Sequence, residues 1–208
     1  MPNRPHWRTQ QQQDRFFQQA KSEGYRARSA YKLLQLQEKF HLIRRGDVVV
    51  DLGAAPGSWS QVLVDLVGPQ GRVIAVDLQT IEPLPGVTFL QGDMTDAKVQ
   101  AALIAAAGGP VDAVVSDAAP GTTGVKLHDH VLSMELARAA LAVAHALLKP
   151  GGNLVIKVFQ GEDLPAVIHD VKMAFQPVKI HKPEASRKES WEQFIVAKGY
   201  KGKPAAEA

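Results

Sequence analysis

The sequence predicts an α/β protein in which helices cover both faces of a mostly parallel, doubly wound sheet. Apolar strand segments alternate with helical segments along the chain, an order that indicates βαβ units. The strand segments, such as DVVVDLG (47–53), are almost continuously apolar, which is typical of strands buried on both faces. The last two strand segments have no helix between them, so we expect antiparallel neighbours at one edge of the sheet.

The predicted elements follow in a regular order. We expect strands at 47–53, 72–78, 87–93, 111–117, 153–159, 177–183 and 192–200. We expect helices at 27–40, 58–68, 96–107, 129–149 and 164–175. In the second helix, Trp59, Val62, Leu63, Leu66 and Val67 recur at helical spacing, and Gly68 ends the repeat.

The composition excludes several classes of protein. The chain has 208 residues, 45% of them hydrophobic, and no cysteine, which excludes disulfides and thiolate chemistry. The polar N-terminus lacks the apolar region of a signal peptide, and no apolar stretch reaches membrane-spanning length. We therefore expect a cytoplasmic protein with no membrane association. We divide it into a basic, partly flexible extension (1–26), a single domain (27–200) and a flexible tail (201–208).

Positive charge is concentrated at both ends of the chain. Residues 1–40 carry eight Lys/Arg and three Asp/Glu, whereas residues 41–170 carry eight and fourteen. Residues 171–208 carry eight and four, so basic ends flank an acidic middle. Clustered positive charge is the footprint of a protein that meets a polyanion, although lysine and arginine also solubilise loose termini.

Polar residues close the apolar strands, and in a doubly wound sheet the carboxyl ends of the strands form the ligand site. They are Asp51, Asp77, Asp93, Asp117 and Lys157. One aspartate alone would be a helix cap or a turn residue. Five such residues at equivalent strand ends predict a shared site.

The segment DLGAAPGSW (51–59) predicts how this site meets its ligand. Gly53 and Gly57 permit a tight turn and a close approach of the backbone. The pattern is not GxGxxG, and Pro56 lacks an N–H, so a pyrophosphate cradle is poorly supported. Asp77 lies twenty residues beyond Gly57, the offset of an acid that binds ribose hydroxyls, and Asp93 could accept from a base amine. The ligand indicated is an adenosine without phosphates, such as S-adenosylmethionine.

Four motifs in order, DLGAAPGSW, SDAAP, VIKVFQG and SRKESWEQF, resemble the FtsJ family of ribosomal RNA 2′-O-ribose methyltransferases. The resemblance runs from about Arg28 to Tyr200. It implies a Rossmann-like S-adenosylmethionine-dependent methyltransferase fold with seven strands, the last antiparallel. The implied reaction is methylation of a uridine ribose 2′-hydroxyl in 23S rRNA on the large ribosomal subunit. We expect a monomer without an obligate protein partner.

The resemblance also implies the roles of individual residues. Lys32, Asp117, Lys157 and Glu192 match the catalytic positions; Glu189 is the other candidate, but the motif spacing selects Glu192. The implied cofactor contacts are Gly57, Trp59, Asp77, Asp93 and Asp117, and the turn chemistry adds Gly53. No metal is expected, because His128 and His130 near a helix start are more often a cap or a turn.

Lys157 stands inside an apolar strand, where an ammonium needs partners. Burial would lower the pKa of Lys157, whereas the carboxylates of Asp117 and Glu192 would raise it. The sequence therefore leaves the charge of this lysine open. A neutral amine would act as a general base, whereas an ammonium would orient the hydroxyl and stabilise an alkoxide.

The basic N-terminal residues are predicted to hold RNA, interleaved with aromatic side chains. The cations are Arg4, Arg8, Lys21, Arg26 and Arg28, and the aromatic residues are Trp7, Phe16, Phe17 and Tyr25.

Three other functions stay open. One is ribose methylation of tRNA or of an RNA cap. Another is nicotinamide-dependent oxidation, which the missing third glycine disfavours. The last is a non-catalytic ribosome-assembly factor that kept the fold.

Overall fold

A single seven-stranded sheet forms the centre of the molecule, in the order β3-β2-β1-β4-β5-β7-β6. It is seen in a computed structural model that describes residues 14–121 and 124–202. The predicted RNA contacts Arg4, Trp7 and Arg8 lie outside the described residues. The strands are β1 (Val48–Leu52), β2 (Arg72–Asp77), β3 (Val87–Gln91), β4 (Val111–Ser116), β5 (Leu148–Phe159), β6 (Val178–His181) and β7 (Glu192–Ala197).

β1 to β5 are parallel, and β7 runs antiparallel to both β5 and β6. The predicted α/β fold with an antiparallel last strand is therefore confirmed. The helices are α1 (Arg15–Glu23), α2 (Ala30–Phe40), α3 (Ser58–Val67), α4 (Ala97–Ala107), α5 (Lys126–Leu147) and α6 (Leu164–Ala174). Among the described residues, no helix is both long enough and apolar enough to cross a membrane.

The sheet separates two apolar cores. Leu33 of α2 and Trp59 of α3 pack on one face, in a cluster that also holds Phe194 of β7. Leu103, Met134 and Val167 bring α4, α5 and α6 to the other face. Coverage of both faces explains the continuously apolar strands. Helices α2 and α3 lie on the same face of the sheet.

Two elements differ from the sequence-based expectation. Residues 15–23, assigned to the extension, form α1, which is capped by Asp14 and buries Phe16 and Ala20. This amphipathic helix packs through Phe16, in its first turn, against Tyr31 of α2. Strand β5 begins at Leu148, so the segment expected to close the preceding helix already pairs with β4.

Asp51 of β1 is a carboxyl group within the core. Its side chain is fully buried, and the Ser60 hydroxyl donates to Oδ2 at 2.6 Å, whereas Oδ1 has no hydrogen-bond partner. Burial raises the pKa of Asp51 to about 7, against the hydrogen bond from Ser60, which lowers it; the nearby Asp117 and Asp77 raise it further. The fold therefore favours the protonated form of this side chain.

We predict that Asp51→Asn removes a pH-dependent loss of stability. Because the folded-state pKa is raised above the ordinary aspartate value of 3.8, ionisation favours the unfolded chain as the pH rises from about 4 to about 7. Between pH 5 and pH 8 the wild type should lose on the order of 3 kcal/mol of unfolding free energy relative to the variant. Denaturant unfolding of the ligand-free protein at both pH values measures this difference.

Asp65→Asn, at an exposed aspartate of α3, is the matched control and should keep the wild-type pH dependence. Parallel stability profiles for the wild type and Asp51→Asn would contradict the account of the buried carboxyl.

Candidate active site

The register of the sheet brings four of the predicted residues to one level. Leu52 pairs with both Val76 and Ser116, and Ser116 pairs with Ile156. The next residue along each of these parallel strands is therefore at the same edge of the sheet. Those residues are Gly53, Asp77, Asp117 and Lys157.

A cavity of about 550 Å³, here the first cavity, opens at this edge. Its volume is in the range of about 300–1,000 Å³ typical of small-molecule sites. It is lined by Gly53, Ala55, Pro56, Val76, Asp77, Leu78, Gln79, Thr80, Gly92, Asp93, Met94, Asp117, Ala118, Ala119, Gly121, Leu136 and Lys157. Four predicted cofactor residues, Gly53, Asp77, Asp93 and Asp117, are among them.

Position 53 requires a glycine, because the loops that follow β1 and β4 approach each other closely there. Its φ of +74° lies in the left-handed region, and a Cβ there would lie 2.6 Å from the Cα of Ala118. Since Ala118 follows Asp117, a side chain at Gly53 would separate the ends of β1 and β4.

Asp77 and Asp93 are fixed by local hydrogen bonds. Asp77 accepts from the backbone N–H groups of Ala55 at 2.9 Å and Gln79 at 2.8 Å, which orients its carboxylate between two loops of the first cavity. Asp93 accepts from both the N–H and the hydroxyl of Thr95. These bonds hold the pKa of Asp93 below its usual value, so it stays a carboxylate.

Lys32, Asp117, Lys157 and Glu192, here the charged set, lie together. Lys157 Nζ lies 3.2 Å from Asp117 Oδ1 and donates to the Asp117 carbonyl oxygen at 2.5 Å. Lys32 Nζ lies 3.8 Å from the same Oδ1 and 2.6 Å from Glu192 Oε1. Positive and negative groups thus alternate, and every member is at least mostly buried. Glu189, the other candidate, is exposed.

The charge of Glu192 is maintained by its neighbours. Burial raises the pKa of the Glu192 carboxyl. The positive charge of Lys32, the hydrogen bond that Lys32 donates and the charge of the more distant Lys157 outweigh burial, so the pKa lies below its usual value. Glu192 is therefore an anion, and it compensates Lys32 as Asp117 compensates Lys157.

Two predicted cofactor residues do not line the first cavity. Trp59 is 2% exposed, stacks on Phe194 with ring centroids 5.8 Å apart, and donates from Nε1 to the carbonyl of Ser29. Phe194 in turn lies 5.8 Å from Lys32 Nζ. Trp59 therefore contacts the charged set through Phe194, whose ring it supports. Gly57 faces Arg26. Cofactor contact by these two residues stays a prediction.

A second cavity of about 620 Å³ adjoins the first, and the two share Ala119 and Lys157. Its lining includes Lys32 and Glu192 of the charged set and an aromatic pair, Phe159 and Trp191. The two rings stack at 5.2 Å with an angle of 14°, and Lys126 Nζ lies 6.0 Å from the Trp191 ring. The sequence motifs did not single out this pair.

The predicted RNA-binding arginines are engaged within the protein. Arg28 forms an ion pair with Asp14 and donates to the Ala185 carbonyl at 2.5 Å. Arg26 donates to three backbone carbonyl groups. Of the described cations in the N-terminal prediction, only Lys21 is exposed. The exposed cations beside the second cavity are instead Arg187 and Lys126.

The two histidines considered as metal ligands differ in their exposure to solvent. His130 is buried, and its Nε2 accepts from the Asp163 N–H at 3.2 Å, whereas His128 is exposed. Within residues 14–121 and 124–202, no group of three or more His, Asp or Glu side chains could hold a metal ion.

Comparison with known proteins gives a family and several close relatives. The sequence model of the FtsJ-like methyltransferase family matches residues 25–200. A protein named ribosomal RNA large subunit methyltransferase E from Methanothrix thermoacetophila is 51% identical over 90% of this chain and 72% of its own length. A protein of the same name from Methanothermobacter thermautotrophicus is 46% identical over 95% of this chain and 94% of its own length.

The fold has solved counterparts. The crystal structure of a ribosomal RNA methyltransferase, described as putative, from Plasmodium falciparum superposes with a TM-score of 0.76 at 28% identity, covering 86% of this chain and all of that one. The predicted methyltransferase class is confirmed, and with it S-adenosylmethionine as the methyl donor. From its motifs, its fold and these relatives, the chain belongs to the FtsJ-like methyltransferase family.

Proposed function

We propose that this protein transfers a methyl group from S-adenosylmethionine to a uridine ribose 2′-hydroxyl in the 23S RNA of the large ribosomal subunit. One observation carries the proposal: Lys157 stands where the two cavities meet, held by Asp117 within the charged set. A group at that position can touch an acceptor in one cavity while a donor occupies the other.

The first cavity suits S-adenosylmethionine. Asp77 offers a carboxylate for the ribose hydroxyls and Asp93 one for the base amine, and Leu78 and Met94 provide apolar walls near them. Asp117 places negative charge at the end of the cavity next to Lys157, where a positively charged sulfonium is favoured. When bound, S-adenosylmethionine supplies an electrophilic methyl group.

The second cavity suits a nucleotide. Its aromatic pair offers a surface on which a base can stack, and Arg187 and Lys126 are placed to meet phosphates. Lys32 and Glu192 line this cavity together with Lys157. The ribose must lie beside these three residues if its 2′-hydroxyl is to reach the first cavity.

Lys157 acts on the hydroxyl as an ammonium in this proposal. Its Nζ lies against the Asp117 carboxylate and donates to the Asp117 carbonyl oxygen. A remaining N–H can orient the 2′-oxygen and stabilise the negative charge that develops there. As the bond from this oxygen to the methyl carbon forms, the bond from that carbon to the donor sulfur breaks, the thioether leaves and the hydroxyl proton passes to solvent. Orientation of the hydroxyl supplies much of the rate enhancement.

Lys32 and Glu192 keep Lys157 in place. Asp117 Oδ1 lies between both lysines, and Glu192 neutralises Lys32, so that Asp117 remains available to Lys157. The four charges sum to zero. A net-neutral set of this kind limits the cost of burying each charge, which an unpaired lysine in β5 would incur in full.

Ribosomal RNA of the large subunit is the substrate that the relatives support. The relatives from Methanothrix thermoacetophila and Methanothermobacter thermautotrophicus, 51% and 46% identical to this chain over the matched residues, carry that name. The basic ends of the chain agree with a polyanionic partner. Because the described residues of one chain supply both cavities and the whole charged set, we propose that the cytoplasmic monomer is the active form.

We predict that the purified protein methylates large ribosomal subunits that lack the modification. With methyl-labelled S-adenosylmethionine, the label should appear in alkali-resistant dinucleotides, because a 2′-O-methyl group blocks cleavage at its own linkage. Lys157→Ala should reduce turnover at least about a hundredfold, since it removes the group that contacts the hydroxyl.

Lys172→Ala, at an exposed lysine of α6, is the matched control and should retain activity. Free large-subunit RNA and bulk tRNA are tested in parallel. Label confined to tRNA would overturn the ribosomal substrate, and full activity of Lys157→Ala would overturn the role of the lysine. Cofactor binding without any label would favour an assembly factor.

We further predict that Trp191 stacks on a base of the RNA. Trp191→Ala should raise the KM for the ribosomal substrate about tenfold, the equivalent of about 1.4 kcal/mol, with little change in the affinity for S-adenosylmethionine. Trp191→Phe keeps a flat ring over Phe159 and should remain near the wild type. Steady-state kinetics with varied RNA concentration provide the measurement, and an unchanged KM in Trp191→Ala would refute the stacking role.

A further inference from the structure

Arg26 joins two loops of the first cavity. It lies between α1 and α2, and its guanidinium donates from Nη1 to the carbonyl oxygens of Pro56 at 3.0 Å and Glu82 at 2.8 Å. Nη2 donates to Pro83 at 3.3 Å. Pro56 belongs to the loop after β1, and the other two belong to the loop between β2 and β3. Both loops line the first cavity, the first through Gly53, Ala55 and Pro56 and the second through residues 78–80.

Gly57 makes room for this guanidinium. A Cβ at Gly57 would lie 2.6 Å from Arg26 Nη1 and 3.2 Å from Leu84 Cδ1. The φ of +101° at Gly57 also disfavours any side chain. Contact with Arg26 is therefore a sufficient reason for a glycine at this position, whether or not the residue also contacts the cofactor.

The backbone of Arg26 is itself held by α3. Its N–H donates to Gln61 Oε1 at 2.8 Å, and Gln61 Nε2 donates to the carbonyl of Gly24 at 3.0 Å. Three residues after Arg26, the Ser29 hydroxyl bonds that of Ser58 at 2.7 Å. These hydrogen bonds connect the segment before α2, the helix that carries Lys32, to the beginning of α3.

We propose that Arg26 is a positioning residue for S-adenosylmethionine binding, and that it aligns the loops of the first cavity with the helix that carries Lys32. The inference rests on the proposed function. It replaces the expectation that Arg26 holds RNA phosphate. A planar guanidinium has five N–H donors in a fixed fork and can span two loops, whereas the compact ammonium of lysine cannot reproduce this geometry.

Arg26→Lys therefore separates the two roles. It keeps the positive charge, so a phosphate contact would survive, but it breaks the link between the loops. We expect Arg26→Lys and Arg26→Ala each to raise the Kd for S-adenosylmethionine about tenfold in calorimetry. The KM for S-adenosylmethionine should rise in parallel, kcat at saturation should stay within about threefold, and the RNA affinity of Arg26→Lys should not change.

Lys21→Ala, at the exposed lysine of α1, is the control and should leave S-adenosylmethionine affinity unchanged. Wild-type affinity for S-adenosylmethionine in Arg26→Lys would overturn the inference while leaving the proposed function intact. The inference would also be overturned if Arg26→Ala lost only RNA affinity and Arg26→Lys restored it. Failure of the wild type to bind S-adenosylmethionine would overturn both.

Gly57 gives an independent test. Gly57→Ala should push the guanidinium from its carbonyl partners and raise the Kd for S-adenosylmethionine by a similar factor. In the Arg26→Ala background the same change should cost less, because the clash with the guanidinium is then gone and only the contact with Leu84 Cδ1 and the backbone strain remain. Effects that multiply in the double variant would contradict contact between the two residues as the cause.

Discussion

The contact between Lys157 and Asp117 is the interaction on which the site depends. Lys157 is 8% exposed and stands in a strand otherwise filled with apolar residues. Without a carboxylate beside it, an ammonium at this depth would be costly to bury. The register of β4 and β5 places the two residues at the same level, so the fold itself supplies the partner.

From this pair, the remainder of the site follows in two directions. Toward β1 and β2, the strand ends open the first cavity, and hydrogen bonds fix the carboxylates of Asp77 and Asp93 at its wall. Toward β7, which runs antiparallel to β5, Glu192 meets Lys32 from α2. The antiparallel strand thus brings an anion to the edge where the parallel strands end, and completes the second cavity.

Much of this arrangement could be predicted from sequence, for a physical reason. Parallel strands end at one edge, so polar residues that close apolar strands must converge, as Asp117 and Lys157 do. The partners of Arg26 could not be predicted in this way. They are backbone carbonyl groups, which every residue carries, and no residue type marks them.

Trp59 and the N-terminal helix show the same limit. A tryptophan at helical spacing is compatible with a core or with a cofactor wall, and the packing of Trp59 against Phe194, more than a hundred residues later, could not be predicted from either pattern. The burial of Phe16 likewise depends on Tyr31 and Ala185. Such long-range packing overrides what local composition indicates about residues 15–23.

The most direct test of the account is the position of the acceptor oxygen relative to Lys157. A crystal structure with S-adenosylhomocysteine and a short RNA containing the target nucleotide would measure it. We predict a 2′-oxygen within about 3.2 Å of Lys157 Nζ, on the second-cavity side, as expected for a hydrogen bond. A base atom in that place, or a ribose bound away from the charged set, would contradict ribose methylation at this site.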